Sequence, residues 1–143
     1  MERTIRDVIQ NQQPVTAPAS MRVREAARVM KQQRVGAIMV VEHGFLVGIF
    51  TERDALNRVV AEGRDAAATT LADVMTANPR TLGPDATFNA ALEIMHTGRF
   101  RHVPVAENGR PVGMISVRDA MGPELESFVF EILRQEQMSQ VLA

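Results

Sequence analysis

The sequence predicts a mixed α/β (α+β) fold made of two tandem βαββα repeats and followed by a C-terminal helix. Three observations favour this class. The chain matches itself at an offset of 65 residues, so that Pro14 falls on Pro79 and Arg53 on Arg118. Each half combines one helical stripe with two β-rich runs, and a hairpin turn joins the two runs. A unit of about sixty residues is marginally stable alone, so the two repeats are expected to share a core.

The first elements of each repeat are a short apolar helix, expected over residues 5–9 and 71–75, and a longer helix. In the longer helix, apolar residues recur at i, i+3, i+4 and i+7. Ser20 and Asp85 are candidate N-caps for the two copies of this helix, and Gly98 is a candidate stop. Brief extended segments lie between the short and long helices, around Thr16 and around Thr81.

Two strands and a final helix complete each repeat. The β-rich runs are residues 35–41 and 100–106, and each leads through a turn, His43-Gly44 or Asn108-Gly109, into a second strand. Asn-Gly between apolar runs is a strong hairpin signal. A further helix is expected to begin at the end of the second strand, at Thr51 and Ser116.

The predicted boundaries are repeat 1 over residues 1–62, a small polar linker over 63–70, repeat 2 over 71–122 and the tail helix over 123–143. Pro123 suits a first helical position. An apolar stripe follows, made of Leu125, Phe128, Val129, Ile132 and Leu133, and Phe130 lies off it. Two interpretations stay open: the helix caps the core of its own chain, or it buries its extra Phe against a partner chain.

Composition excludes several classes of protein. The 143 residues carry a net charge of −1 and contain no Cys, Trp or Tyr. Disulfide scaffolds, thiolate nucleophiles and cysteine metal sites are therefore excluded, and a reducing cytoplasm is the expected location. Nucleic acid is not an expected partner, because a basic surface and stacking aromatics are missing. No apolar run reaches the roughly 20 residues of a membrane span, so no membrane association is expected.

The segments 48–54 and 113–119 share a Gly, two apolar residues and then hydroxyl-x-Arg-Asp. One interpretation is a capping box, in which the hydroxyl and the acid satisfy free N–H groups at a helix start. The other is a ligand site, because a helix start attracts phosphate and a nearby Asp can accept hydrogen bonds from sugar hydroxyls. The repeated Gly would permit another group to approach the backbone closely. The two roles can coexist.

These two segments, the Arg101-His102-Val103-Pro104-Val105 strand and the Asp-Val openings at residues 7 and 73 resemble the cystathionine-β-synthase (CBS) domain pair, or Bateman module, over nearly the whole chain. The resemblance implies two repeats related by a pseudo-twofold axis, a homodimer shaped as a flat disc, and adenosyl ligands in clefts between repeats. It implies that Asp54 and Asp119 hold ribose hydroxyls, with Thr51 and Ser116 near the ribose or phosphate.

The same resemblance implies an adenine pocket. Its expected lining is Ile38, Ile49, Val103, Pro104 and Met114, with the backbone around Thr16 and Thr81 reading the adenine edge. Phosphate contacts are expected from Arg53, Arg118, Arg101 and His102 on charge and position alone. Arg53 could equally be a solvated arginine at a helix start, and His102 could be a packed strand residue without a ligand. Repeat 1 has Gly36-Ala37-Ile38-Met39 where repeat 2 has Arg101-His102-Val103-Pro104, so the two sites need not be equivalent.

Two functions remain open. The first is a regulatory module that senses AMP, ADP, ATP or S-adenosylmethionine and acts on a separate, unidentified protein. Almost no sequence lies outside the pair, so any output is expected to pass to another chain. The second is a ligand-free adaptor that uses the same fold to dimerise. An enzyme is not expected, because no nucleophile–base pair or metal cluster is evident, and no required cofactor or metal site is predicted.

Overall fold

The computed structural model describes residues 3–120 and 130–138. The elements of the first half are α1 (Ile5–Ile9), β1 (Thr16–Ala17), α2 (Val23–Gln33), β2 (Ala37–Glu42), β3 (Phe45–Thr51), α3 (Glu52–Asp54) and a π-helical continuation of α3 (Ala55–Val60). The elements of the second half are α4 (Leu71–Val74), β4 (Thr76–Ala77), α5 (Phe88–Gly98), β5 (His102–Glu107), β6 (Arg110–Ser116) and α6 (Val117–Ala120). The predicted mixed α/β class is confirmed.

The two long helices end and begin at positions that differ from those predicted. The N-caps are Arg22 and Thr87, and the Thr87 hydroxyl accepts a hydrogen bond from the Ala90 N–H. Ser20 and Asp85 are therefore wrong as N-caps; each lies two residues too early. At the other end, Arg34 and Arg99 are the C-caps and adopt the left-handed conformation, with φ 57° and 58°. Gly98 is therefore still helical, and the predicted stop lies one residue later, at Arg99. The Phe100 ring occupies the space that a Cβ on Gly98 would need.

Each half contains a β-hairpin with the predicted turn. His43-Gly44 and Asn108-Gly109 all have positive φ, between 53° and 85°, as type I′ turns require. Both hairpins also shift register at the same place, between Val40 and Val41 in the first and between Val105 and Ala106 in the second. The repeat predicted from the 65-residue offset thus extends to the backbone irregularities.

The short segment at the start of each half packs against the other half of the chain. Ile5 and Ile9 of α1 are buried with the core of the second half, beside Phe88 and Ile115. In return, α4 packs its Leu71 and Val74 into the core of the first half, and β4 pairs antiparallel with β3 to complete a sheet of order β1-β2-β3-β4. The second sheet consists of β5 and β6. This reciprocal exchange makes each core depend on both halves of the chain.

The two motif glycines face these exchanged segments. A Cβ on Gly113 would lie 2.8 Å from both the Cβ and the Cγ2 atoms of Ile9, and a Cβ on Gly48 would lie 3.1 Å from the Thr76 carbonyl oxygen and closer still to the Met75 sulfur. Contacts under 3.0 Å cannot be accommodated without a shift. The expected close approach at these glycines is therefore real, but the approaching group belongs to the chain itself.

Residues 130–138 are helical, as predicted for the tail, while Pro123, Leu125, Phe128 and Val129 lie outside the described residues. Phe130 is 68% exposed, and Ile132 and Leu133 are also exposed. The described part of this helix therefore leaves these apolar residues exposed on the single chain, and its packing against a partner stays a prediction. Within residues 3–120 and 130–138, no helix combines the length and apolarity needed to cross a bilayer.

Candidate ligand-binding clefts

Two clefts of similar size lie between the halves. The Asp54 cleft encloses about 650 Å³ and the Asp119 cleft about 590 Å³. Both volumes fall in the roughly 300–1,000 Å³ range of small-molecule sites. Each cleft combines the motif of one half with residues that follow the long helix of the other: Asp54 faces Arg99 and Arg101, while Asp119 faces Arg34 and Gly36. The clefts are thus equivalent under the internal repeat.

Most of the predicted site residues line a cleft. The Asp54 cleft is lined by Ile49, Thr51, Arg53, Asp54, Arg101, His102 and Pro104. The Asp119 cleft is lined by Met114, Ser116, Arg118, Asp119, Arg101 and His102. The structure therefore brings the motif carboxylates, the hydroxyls and the cationic residues together; which of them contact a ligand stays a prediction.

The hydroxyl and the carboxylate of each motif form the capping box. The Thr51 hydroxyl accepts from the Asp54 N–H at 3.2 Å, and Oδ2 of Asp54 accepts from the Thr51 N–H at 3.0 Å. In the second motif, Oδ2 of Asp119 accepts from the Ser116 N–H at 2.8 Å and from the Ser116 hydroxyl at 3.2 Å. Both carboxylates are partly buried and accept hydrogen bonds from the backbone, so their position at the clefts does not depend on a ligand.

The second carboxylate oxygen of Asp54, Oδ1, lies near an arginine instead of the capping box. Oδ1 lies 3.7 Å from the Nε atom of Arg58, and the Asp54 side chain is only 14% exposed. The capping box uses Oδ2 of Asp54, so Oδ1 can accept further hydrogen bonds. Arg53 donates from Nη1 to the Arg99 carbonyl oxygen at 3.1 Å, which joins the motif of the first half to the end of α5.

Four predicted residues lie outside both clefts. Ile38 and Val103 are fully buried, each in the core of its own half, and neither lines a cleft, so their place in an adenine pocket stays a prediction. Because neighbouring strand residues point to opposite faces, the next residues, Met39 and Pro104, line the clefts instead. Thr16 and Thr81 also miss the clefts, which are lined by the residues just before them: Pro14 and Val15 in one cleft, Pro79 and Arg80 in the other.

Sequence reasoning missed Glu52, which lines both clefts, and also Arg34, Arg80 and Arg99. Arg34 and Arg99 coincide at the repeat offset, and that coincidence at the end of a helix was the available signal. Glu52 has no such signal, because its counterpart is Val117. It owes its place to the Glu52 N–H, which donates to the Gly36 carbonyl oxygen at 2.9 Å.

His102 sits where the two clefts meet. Burial lowers the pKa of its imidazole below the usual 6.5, against the opposite effect of the Glu52 and Asp119 carboxylates. Arg118 and Arg101 lower the pKa further, by charge repulsion. The imidazole is therefore a neutral, half-buried group between two carboxylates and two guanidinium groups. In the described residues, no group of three or more His, Asp or Glu side chains could hold a metal ion.

The family model and two curated relatives that match this chain belong to one family. The family model described as "CBS domain" matches residues 5–61 and again residues 71–122. The CBS domain-containing protein YhcV of Bacillus subtilis is 33% identical over 116 residues, which cover 81% of this chain and 81% of that protein. The mitochondrial CBS domain-containing protein CBSX3 of Arabidopsis thaliana is 36% identical over 104 residues. That match covers 69% of this chain but only 50% of CBSX3, so the chain spans about half the length of this relative.

Solved structures share the fold and, in two cases, hold a ligand. The CBS domain protein PAE2072 of Pyrobaculum aerophilum, solved with AMP, superposes with a TM-score of 0.75 at 28% identity over 81% of this chain and 88% of that one. The CBS domain pair of protein MJ0100, solved with 5′-methylthioadenosine and S-adenosyl-L-methionine, gives 0.76 at 25% identity over 84% and 94%.

Proposed function

This chain belongs to the CBS domain family, and on that premise we propose that it is a regulatory module whose two clefts bind an adenosyl ligand: AMP, ADP, ATP or S-adenosylmethionine. The observation that carries the proposal is that each cleft combines a partly buried motif carboxylate of one half with at least one arginine of the other half. Similar proteins solved with AMP, or with methylthioadenosine and S-adenosylmethionine, support the adenosyl class. Occupancy of the clefts would alter the activity or assembly of a separate protein.

In this proposal, Asp54 and Asp119 accept hydrogen bonds from the ribose hydroxyls. A carboxylate offers about four lone-pair positions, and the capping box occupies only part of them. Because the backbone already fixes each carboxylate, little conformational entropy is lost when a ribose binds. Thr51 and Ser116 lie at the starts of α3 and α6, beside Asp54 and Asp119 respectively, and would contact the ribose or the phosphate.

Arginines supply the complement to a phosphate group. Arg53, Arg80, Arg99 and Arg101 line the Asp54 cleft, whereas Arg34, Arg101 and Arg118 line the Asp119 cleft. A guanidinium presents paired N–H donors that match two phosphate oxygens. The apolar side of each cleft, Ile49 with Pro104 or Met114 with Met39, is suited to the adenine ring. No catalytic step is assigned to either cleft.

A ligand in either cleft would contact both halves of the chain. Because the leading segments α1 and β4 are exchanged, a shift between the halves would also shift those segments and the surface they present. We keep two further predictions here: the chain forms a homodimer, with the exposed Leu56 and Val60 available for contact, and it acts in the reducing cytoplasm.

One observation favours the ligand-free adaptor as a second candidate. Thr70 and Asp73 form the same capping box at the start of α4, and neither residue lines either cleft. The box by itself is therefore no sign of a ligand, and the motif could serve helix capping alone. The Thr70–Asp73 box also provides a matched control for the experiment.

The test is thermal unfolding with a panel of AMP, ADP, ATP, adenosine and S-adenosylmethionine, on wild type and on Asp54→Ala, Asp119→Ala and Asp73→Ala. We expect at least one ligand to raise the wild-type midpoint, because a ligand that binds only the folded state stabilises it by mass action. The rise should shrink in the Asp54 and Asp119 variants and persist in Asp73→Ala. If no member of the panel shifts wild type at millimolar concentration, the adaptor is the better account.

A further inference from the structure

The wall between the two clefts is built from one set of ionisable residues. Glu52, Arg101 and His102 line both the Asp54 cleft and the Asp119 cleft. Their counterparts at the repeat offset are Val117, Gly36 and Ala37, which carry no charge. The internal repeat thus duplicates the clefts but not this wall, so the two clefts must share its charges.

Local geometry places these side chains at the meeting point of the clefts. A Cβ on Gly36 would lie 3.1 Å from Oε1 of Glu52 and 3.2 Å from Cε1 and Nε2 of the His102 imidazole. Gly36 therefore leaves the space that Glu52 and His102 occupy, whereas its counterpart Arg101 carries a long cationic side chain that lines both clefts. Arg101 is exposed and lies just before β5, so its guanidinium is free to turn.

We propose that Arg101 is an anion contact shared by the two clefts, with its guanidinium serving a phosphate in only one of them at a time. Phosphate-bearing adenosyl ligands then fill the two clefts with negative coupling. Ligands that lack a phosphate fill them independently. The inference rests on the proposed function and adds to it the residue that distinguishes phosphorylated from unphosphorylated ligands and links their two sites.

The physical reason for the coupling is that one guanidinium has a limited set of paired N–H donors. A guanidinium that binds two oxygens of one phosphate has committed the paired donors that a second phosphate would need. The other cleft then faces the Glu52 carboxylate with one cation fewer. Coupling between two sites is reciprocal and commonly amounts to about 5-fold to 150-fold in affinity. We expect each cleft to bind AMP at least about 5-fold more weakly when the other cleft already holds AMP than when the other cleft is empty.

Isothermal titration calorimetry with AMP and with adenosine tests the proposal. Asp119→Ala leaves the Asp54 cleft as the working site and Asp54→Ala leaves the Asp119 cleft, so each gives a single-cleft affinity to compare with wild type. Arg101→Ala is then added to each of these variants and to wild type. Arg28→Ala is the charge-matched control, because Arg28 is exposed on α2 and lines neither cleft.

We expect Arg101→Ala to weaken AMP in both single-cleft variants, to leave adenosine unchanged in both, and to abolish the coupling in the otherwise wild-type chain. Arg28→Ala should change none of these values. Loss of AMP affinity in one cleft only would overturn the proposal, as would a wild type whose two AMP affinities equal those of the single-cleft variants. A parallel loss of adenosine would also overturn it, because it would indicate a structural role. If neither AMP nor adenosine binds wild type, this inference fails, whereas the proposed function fails only if ADP, ATP and S-adenosylmethionine do not bind either.

Discussion

Gly113→Ala tests the exchange of leading segments between the halves. Gly113 is buried in β6, and the added methyl would lie 2.8 Å from Cβ and Cγ2 and 3.0 Å from Cδ1 of Ile9. The new Cβ is fixed by the strand backbone, so α1 or β6 must move. Overpacking of this kind costs about 1–3 kcal/mol. For a chain of this length, we expect the midpoint of thermal unfolding to fall by about 4 °C for each kcal/mol lost.

Gly83→Ala is the matched control, because nothing lies within 4 Å of the Cβ that it would add. A Gly→Ala change at an unstrained position stabilises by about 0.4–1 kcal/mol, since it restricts the unfolded chain. Differential scanning calorimetry of the two variants should therefore give shifts of opposite sign.

Ile9→Ala locates the clash. Removing Cγ2 and Cδ1 of Ile9 should recover part of the cost of Gly113→Ala, so the double variant should be more stable than the sum of the two single changes implies. Strict additivity, or a Gly113→Ala midpoint equal to wild type, would refute the packing of α1 against β6.

The other predictions concern His102 and the tail. Because the pKa of His102 is below 6.5 in the folded chain, the unfolded chain takes up a proton first as the pH falls, so stability is retained above pH 6.5 and lost below it. Urea unfolding should show that the free energy of unfolding falls less between pH 8 and pH 5 in His102→Gln than in wild type. Equal falls in the two proteins would contradict the prediction. Truncation after Gly122 removes the exposed Phe130 and Leu133, and light scattering should then report a smaller assembly, whereas an unchanged mass would exclude the tail as an interface.

The features that the sequence predicted correctly depend on local pattern. The type I′ turns follow from Gly44 and Asn108-Gly109, and the capping boxes follow from a hydroxyl residue three positions before an acid. The offset of 65 also predicts that the motif recurs, so that Asp119 holds the position in its repeat that Asp54 holds in the first. These features require no knowledge of which distant segments meet.

The features that it missed depend on tertiary contacts. α1 is apolar on one face and could pack on either half; its contacts with the second half, Ile9 against Gly113 and the Ile5 N–H donating to the Ala86 carbonyl oxygen, are tertiary. Ile38 and Met39 are both apolar, so composition does not say which of them faces a cleft. Several residues near each long helix could serve as N-cap. The Thr87 hydroxyl accepts from the Ala90 N–H, whereas the Asp85 carboxylate accepts from the guanidinium of the distant Arg6.

A crystal structure of the chain grown with saturating AMP tests the central claim most directly. The account predicts AMP in at least one of the two clefts, with a ribose hydroxyl about 2.5–3.0 Å from a carboxylate oxygen of Asp54 or Asp119 and with the phosphate beside the arginines of that cleft. A structure in which both clefts stay empty, or in which AMP binds away from both carboxylates, would contradict it.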